Sequence, residues 1–371
     1  MEQYILKEKT MANIATYSIQ QWLFAEANGK FEIDLGESGI QYAYLNELKI
    51  NQNYDLNYSQ DCGYYALRKQ IASLYDVSIE KIIITHGAQE ALYLFYRTML
   101  NPGDHLITFS PGWQQSWEVP RAIGCDVDII QCLPENGYQI DYDELKRKIK
   151  KNTKCIIIND PCNPTGTTLT KNQAHELIKL CEENDILLVN DEEYQTDYKN
   201  SFIHTSKQCS IVSSLSKVYG FPGLRIGWFI GSETVVEKLI NYKRYTSVTN
   251  SSLCEYLGLQ VLEKSSKYRK DYKKLLRKNI KLLETLFQGE PSLKLYPAKS
   301  TPFIYISMPS CLDSQEFCKS LLHNKKVLCM PGEVFLDKHA IRVSYVREES
   351  ILIDGLERIL EEFKVYKKLK K

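Results

Sequence analysis

Short, uninterrupted apolar runs recur through the middle of the chain, and most are followed by residues with helical spacing. Ile82-Ile83-Ile84, His105–Phe109, Val127–Gln131, Cys155–Ile158, Leu187-Leu188-Val189, Ser210–Ser213 and Ile226–Ile230 read as buried strands. Leu67, Ile71 and Leu74, spaced by four and three, predict a helix running on from Gly63. A second helix, opened by Thr85–Gln89, carries Ala91, Leu92, Leu94 and Phe95. Further helices are expected over Trp113–Ile123, Asp141–Ile149 and Leu169–Glu183, the last with Thr170 as cap and Gln173 three residues on. Continuous apolar strands alternating with helices predict an α/β fold, a mostly parallel sheet covered on both faces.

The flanks have a different pattern. Residues 1–30 are of mixed polarity around the cluster Trp22, Leu23 and Phe24, and read as an arm or short helix that packs on a partner subunit. Ile33–Gly39 is a short strand entering a glycine turn. A helical stretch, Ser251–Phe287, bridges to a second unit with a strand at Phe303–Ser307 and a helix at Ser314–Leu322. Strands near Val327 and Ile341 and a final helix from Glu348 complete it. The expected plan is therefore an arm and part of a small domain over 1–44, a large α/β domain over 45–275, and a small α+β domain over 276–371.

Composition narrows the class. A net charge of +1 gives no reason to expect nucleic acid or an acidic membrane as partner. The C-terminal lysines Lys364, Lys367, Lys368, Lys370 and Lys371 read as a frayed, solvated helix end. The eleven cysteines are odd in number and form no C-x-x-C pair. With no signal peptide, they point to reduced thiols in a cytoplasmic enzyme without a metal site, and Cys62, Cys155 and Cys181 read as core fillers. No apolar run approaches the roughly 18 residues a membrane helix needs.

The candidate chemistry centres on Ser214–Trp228. Lys217 lies among small polar residues just after Ile211-Val212, and Arg225 follows a turn built from Gly220, Pro222 and Gly223. A cramped, partly desolvated lysine on a rigid backbone suits Schiff-base chemistry, and a planar guanidinium suits a fixed anion. Asp191 follows a buried strand, where α/β proteins bind ligands. Its neighbours Glu192 and Glu193 read as a solvated acidic turn. His86-Gly87-Ala88-Gln89 joins strand to helix, so its backbone N–H groups favour an anion; Ser214 adds a hydroxyl.

Ser214–Trp228 resembles the lysine motif of class I/II aminotransferases, the fold-type I enzymes that use pyridoxal 5′-phosphate. Val189–Tyr194 is similar to that family's D-E-x-Y motif, and Asp160–Gly166 to its N-P-x-N-P-T-G loop, with Asp160 in place of the first asparagine. The resemblance implies a seven-stranded-type sheet. Lys217 would carry the cofactor, Asp191 would hold its ring nitrogen protonated, and Asn163 and Tyr194 would donate to its ring oxygen. Trp113 would stack on the ring. Gly87, Ala88, Ser214 and Arg225 would hold the phosphate. Arg342, in Ala340–Ser344, would bind the substrate α-carboxylate. Tyr58, with Tyr54 as rival, would reach the phosphate of a neighbouring subunit, giving a homodimer with shared sites.

The expected reaction is transfer of an α-amino group from an amino acid to a keto acid. A narrower resemblance offers an alternative. Trp22-Leu23, Glu37–Gln41, Tyr44–Leu48, Thr85–Gly87, Leu215–Trp228 and Arg244-Tyr245 look like capreomycidine synthases. Those enzymes dehydrate and cyclise a hydroxylated arginine, which would make the substrate arginine-derived; Glu37 stands where a small residue is expected. A non-catalytic, cofactor-binding regulator is the remote third reading, since such proteins carry a basic DNA-binding module ahead of the family pattern.

Overall fold

The computed structural model describes residues 14–296, 298 and 300–370; residues 1–13 of the expected arm and Lys371 lie outside them. After a two-residue strand β1 (Ile33–Asp34), seven strands build the central sheet among the described residues. They are β2 (Ile82–Thr85), β3 (His105–Ser110), β4 (Asp126–Gln131), β5 (Thr153–Asn159), β6 (Leu187–Asp191), β7 (Cys209–Ser214) and β8 (Gly227–Ile230). Their order across the sheet is β2-β8-β7-β6-β5-β3-β4. The pairs from β4 to β7 are parallel, and β8 runs antiparallel to both β7 and β2.

The unbroken apolar runs follow from cover on both faces. Ile83, Val212 and Phe229 point into one core, while Ile82, Ile84, Ile211, Trp228 and Ile230 point into the other. Strand side chains alternate between faces, so a strand buried twice has no polar position to spare. Edge strand β4 shows the contrast, with Asp126 and Gln131 exposed. Helices Tyr65–Tyr75, Ala88–Met99, Gln115–Ile123, Tyr142–Lys148 and Lys171–Glu183 fall where the spacing placed them. Thr170 and Gln173 form the expected reciprocal cap. Helix Glu233–Lys243 was not expected; its apolar positions Val235, Val236 and Leu239 are diluted by polar neighbours.

This topology gathers residues at one edge. β5, β6 and β7 are parallel, so their ends Asn159, Asp191 and Ser214 emerge together, with Asn159 opposite Asp191 and Asp191 opposite Val212. Gly227 pairs with both Ser214 and Thr85, so the end of β2 and the start of β8 lie at the same edge. Arg225 precedes that start by two residues.

The second unit is antiparallel. β9 (Lys294–Tyr296), β10 (Phe303–Ser307), β12 (Met330–Pro331) and β13 (Ala340–Ser344) stand in the order β12-β13-β10-β9. β11 (Val327–Leu328) pairs in parallel with β1, which ties residues 33–34 to this unit. Gly355 of the last helix, Glu349–Leu369, allows close approach here: a Cβ at 355 would lie 2.8 Å from Leu35 Cδ1. The stretch expected as one long helix is two, Ser252–Glu263 and Ser265–Phe287. The final lysines are not simply solvated, because Lys367 meets Glu290 at 3.0 Å and Lys370 meets Glu316 at 2.7 Å. Among the described residues no helix is long and apolar enough to cross a membrane.

Candidate active site

A cavity of about 220 Å³ opens at the gathered edge, lined by Ala88, Trp113, Asn163, Asp191, Tyr194, Ser214, Lys217 and Arg225, among others. Eight of the eleven residues expected to form the site therefore face one space. Asp191 ends β6, and its Oδ1 accepts only the Glu193 backbone N–H, at 3.1 Å. Burial, then the charge of Glu193, push its carboxyl well above the ordinary range. Among the described residues no basic side chain forms an ion pair with it. A half-buried, unpaired carboxyl facing a cavity in this way can take a cationic ligand.

One end of the cavity is built by close backbone contact. Gly87 caps helix Ala88–Met99 with φ +80°, so the first helical N–H groups face the cavity rim. A Cβ at 87 would lie 2.5 Å from Arg225 Nη2, and one at Gly227 would lie 2.5 Å from the Gly87 carbonyl carbon. Arg225 itself adopts φ 51°, and its Nη2 donates to His86 O at 3.0 Å. The His86 ring turns away from the cavity to Glu90, 3.1 Å from Nδ1. Glu90 also reaches toward the fully buried Lys243, at 3.7 Å.

Across the cavity, Arg342 is buried and bridges two segments. Its Nη1 donates to Asn163 Oδ1 and its Nη2 to Gly36 O, both at 2.6 Å. The rings of Phe303 and Phe335 lie 4.9 and 5.2 Å from its Cζ, so the guanidinium is held by aromatic faces rather than a counter-ion. Its Nε has no partner. Lys217 Nζ lies 3.1 Å from Glu37 Oε1, and Tyr42 OH donates to Glu37 Oε2 at 2.8 Å. Burial pushes the Glu37 carboxyl up, but Lys217 and Tyr42 outweigh it and leave it well below the carboxylate range.

Trp113 donates to Gln89 Oε1 at 3.2 Å and meets the edge of Tyr17, whose hydroxyl accepts from Gln89. Residue 17 was not singled out, because nothing in its local spacing marks it. Tyr58 does not line the cavity: it is 85% exposed, whereas Tyr54 bonds Ser252 O and stacks on Tyr256. Asp160 is half-buried, and desolvation raises its carboxyl to about 7.

The solvated acidic turn is corrected. Glu192 is fully buried, its Oε1 accepting from Ser201 Oγ and Phe202 N at 3.0 and 2.9 Å. Glu193 is 9% exposed and accepts from Ser214 Oγ at 2.9 Å. The signal available was three consecutive carboxylates directly after an apolar strand, too close to the sheet to all reach water.

The chain is similar to known proteins over most of its length. The family model for aminotransferase class I and II matches residues 34–359. An aspartate aminotransferase of Thermotoga maritima is 28% identical over 328 residues, covering 84% of this chain and 85% of the relative. An aspartate/prephenate aminotransferase of Thermus thermophilus is 26% identical, covering 81% and 82%. The crystal structure of a PLP-dependent aminotransferase from Streptococcus suis superposes with a TM-score of 0.89 at 27% identity, covering 95% of this chain and 99% of that one.

Proposed function

The chain belongs to the class I and II aminotransferase family and is a pyridoxal-phosphate-dependent transaminase, and we propose that Lys217 both carries the cofactor and moves the proton of the reaction. The residues of the cavity fit that group. When bound, pyridoxal phosphate supplies an aldehyde that condenses with amines and a cationic ring that takes up electron density. Lys217 Nζ is the amine that faces the cavity. To bond the cofactor it would have to leave Glu37, and as a free amine facing the cavity Nζ would take the substrate α proton as general base. Asp191 would hold the ring nitrogen protonated, and that charge would give the carboxylate its missing partner.

Trp113, which lines the cavity, would stack on the ring. The Asn163 oxygen is occupied by Arg342, so its amide N–H remains for the ring oxygen, with Tyr194 as second donor. The Ala88 backbone N–H, Ser214 and Arg225 would hold the phosphate; the Gly87 N–H is already bonded to Thr85 O at 2.9 Å, so Gly87 would contribute by its close approach. Arg342 spends two of its five donors on Asn163 and Gly36, and the rest remain for the substrate α-carboxylate.

Tyr54 is engaged inside its own chain and Tyr58 is not, which supports Tyr58 as the residue offered to a partner's phosphate in a homodimer. The pairing of β1 with β11 supports counting residues 1–44 with the small domain over 276–371, beside the large domain over 45–275. The free cysteines among the described residues support a cytoplasmic setting.

The relatives favour amino-group transfer over cyclisation of a hydroxylated arginine. The observation that carries the reading is the convergence of Lys217, Asp191, Ser214 and Arg225 on one cavity, with Arg342 bonded to Asn163 at its wall. The test is to load the protein with pyridoxal phosphate and add candidate amino acids, aspartate first. Keto acid formed in step with loss of the aldehyde absorbance supports transamination. Loss of water with the nitrogen retained, seen by mass spectrometry after hydroxyarginine addition, would favour the cyclase instead.

A further inference from the structure

Glu193 is a second carboxylate in the cofactor cavity, and the transamination chemistry above gives it no part. It lies two residues after Asp191 and lines the same space as Ser214, Lys217 and Arg225. It is 9% exposed. One oxygen, Oε2, lies 2.9 Å from Ser214 Oγ, while the other, Oε1, is buried without any partner. A buried carboxylate oxygen left unsatisfied is costly, so the arrangement asks for a proton or a ligand.

Ser214 settles which. Its Oγ already accepts from the Ser216 backbone N–H at 2.9 Å. A hydroxyl has one proton to give and two lone pairs to receive. If Glu193 is ionised, it takes that proton and leaves Ser214 nothing to offer a phosphate. If Glu193 carries a proton, it donates to the second lone pair of Oγ, and the Ser214 proton is free to point at the phosphate. We propose that Glu193 is held as a neutral acid in the cofactor-loaded protein, donating to Ser214 Oγ and thereby aiming the Ser214 hydroxyl at the cofactor phosphate. The proposal rests on the cofactor reading above.

The groups facing Glu193 support the neutral form. Burial disfavours its charge, and Asp191 at the end of β6 repels it. Ser214, Lys217 and Arg225, from β7 and the segment leading into β8, pull the other way. A bound phosphate would weaken that pull, because it would bring a dianion beside the carboxyl and compete for Arg225. Tyr194 and Asn163 line the same cavity without adding charge.

The experiment measures the dissociation constants of pyridoxal phosphate and of phosphate-free pyridoxal by absorbance between pH 7.5 and 9.5. Free phosphate monoester is already dianionic there, its second pKa being about 6. Wild type is expected to match Glu193→Gln, whose amide donates at every pH, within about 3-fold in affinity for pyridoxal phosphate at pH 7.5, and any loss at higher pH should appear in wild type alone. Pyridoxal should show no such difference between the two proteins. Binding of pyridoxal phosphate about 10-fold or more weaker in wild type than in Glu193→Gln already at pH 7.5, with no such gap for pyridoxal, would overturn the proposal. If Glu193→Gln does not fold, Ser214→Ala replaces it: weak binding without the alkaline step supports the relay, and a retained step refutes it. Failure of wild type to bind pyridoxal phosphate at neutral pH would overturn the cofactor reading itself, and the relay with it.

Discussion

Arg342 and Asn163 are joined by a 2.6 Å hydrogen bond that spans 179 residues of sequence. One sits on β13 of the small sheet and the other in the loop after β5. The bond couples the wall proposed to bind the substrate carboxylate to the residue proposed to touch the ring oxygen. Lysine at 342 would keep the charge and lose the fork. Losing two charge-assisted bonds at about 1.5 kcal/mol each predicts a fall of about 100-fold in kcat/KM for Arg342→Lys, mostly through KM. Steady-state kinetics on the loaded enzyme checks it.

Gly87→Ala tests the anion cradle. The φ of +80° disfavours a side chain, and the new Cβ would press on Arg225 Nη2. The strain is expected to cost about 1 kcal/mol or more in stability, read as a lower urea midpoint. Pyridoxal phosphate affinity should fall about 10-fold or more, whereas affinity for phosphate-free pyridoxal should change little.

Glu90 gives the fold an acid-labile contact. Burial raises its carboxyl, but the His86 ring and backbone N–H and the Lys243 charge outweigh this and bring it from 4.5 to about 2. A depressed carboxylate stabilises the fold above its unfolded value, and that stability is lost as pH falls from about 4.5 toward 2. The shift corresponds to about 3 kcal/mol. Urea midpoints at pH 6 and pH 3 should therefore fall further in wild type than in Glu90→Gln, which starts lower. Equal losses in both proteins would contradict the assignment.

Much of this architecture is legible in the chain because the physics is local. Ile82–Ile84 and Gly227–Ile230 lie in strands covered on both faces, so burial leaves short, unbroken apolar runs that read as strands by their length and branched side chains. Asp191, Ser214 and Lys217 follow such runs, and a strand end is where a sheet delivers its ligands. What local pattern does not carry is contact made by packing. Glu192 reads as solvent-facing until residues 201–202 fold over it. Glu37 meets Lys217 across 180 residues, and Glu193 is set apart from a surface acid only by its bond to Ser214. Lys294–Tyr296 was missed because three residues with one fully buried side chain give no periodicity to read.

Tyr58 carries the prediction for assembly. It is exposed in its own chain beside Leu56 and near Tyr65 in sequence, both exposed as well. Light scattering is expected to show two copies per particle. Tyr58→Phe should raise the pyridoxal phosphate dissociation constant about 10-fold, the loss of one hydrogen bond to a charged group. A wild-type monomer that binds cofactor with full affinity would contradict both statements.

Borohydride reduction tests the central claim most directly. The loaded protein is reduced, digested, and mapped by mass spectrometry, because reduction locks a lysine–aldehyde bond into a stable amine. The cofactor-derived mass is expected on Lys217 in wild type and on no residue of Lys217→Ala, which should also lack transaminase activity. The same mass on another lysine of wild type, or undiminished labelling of Lys217→Ala, would contradict the account.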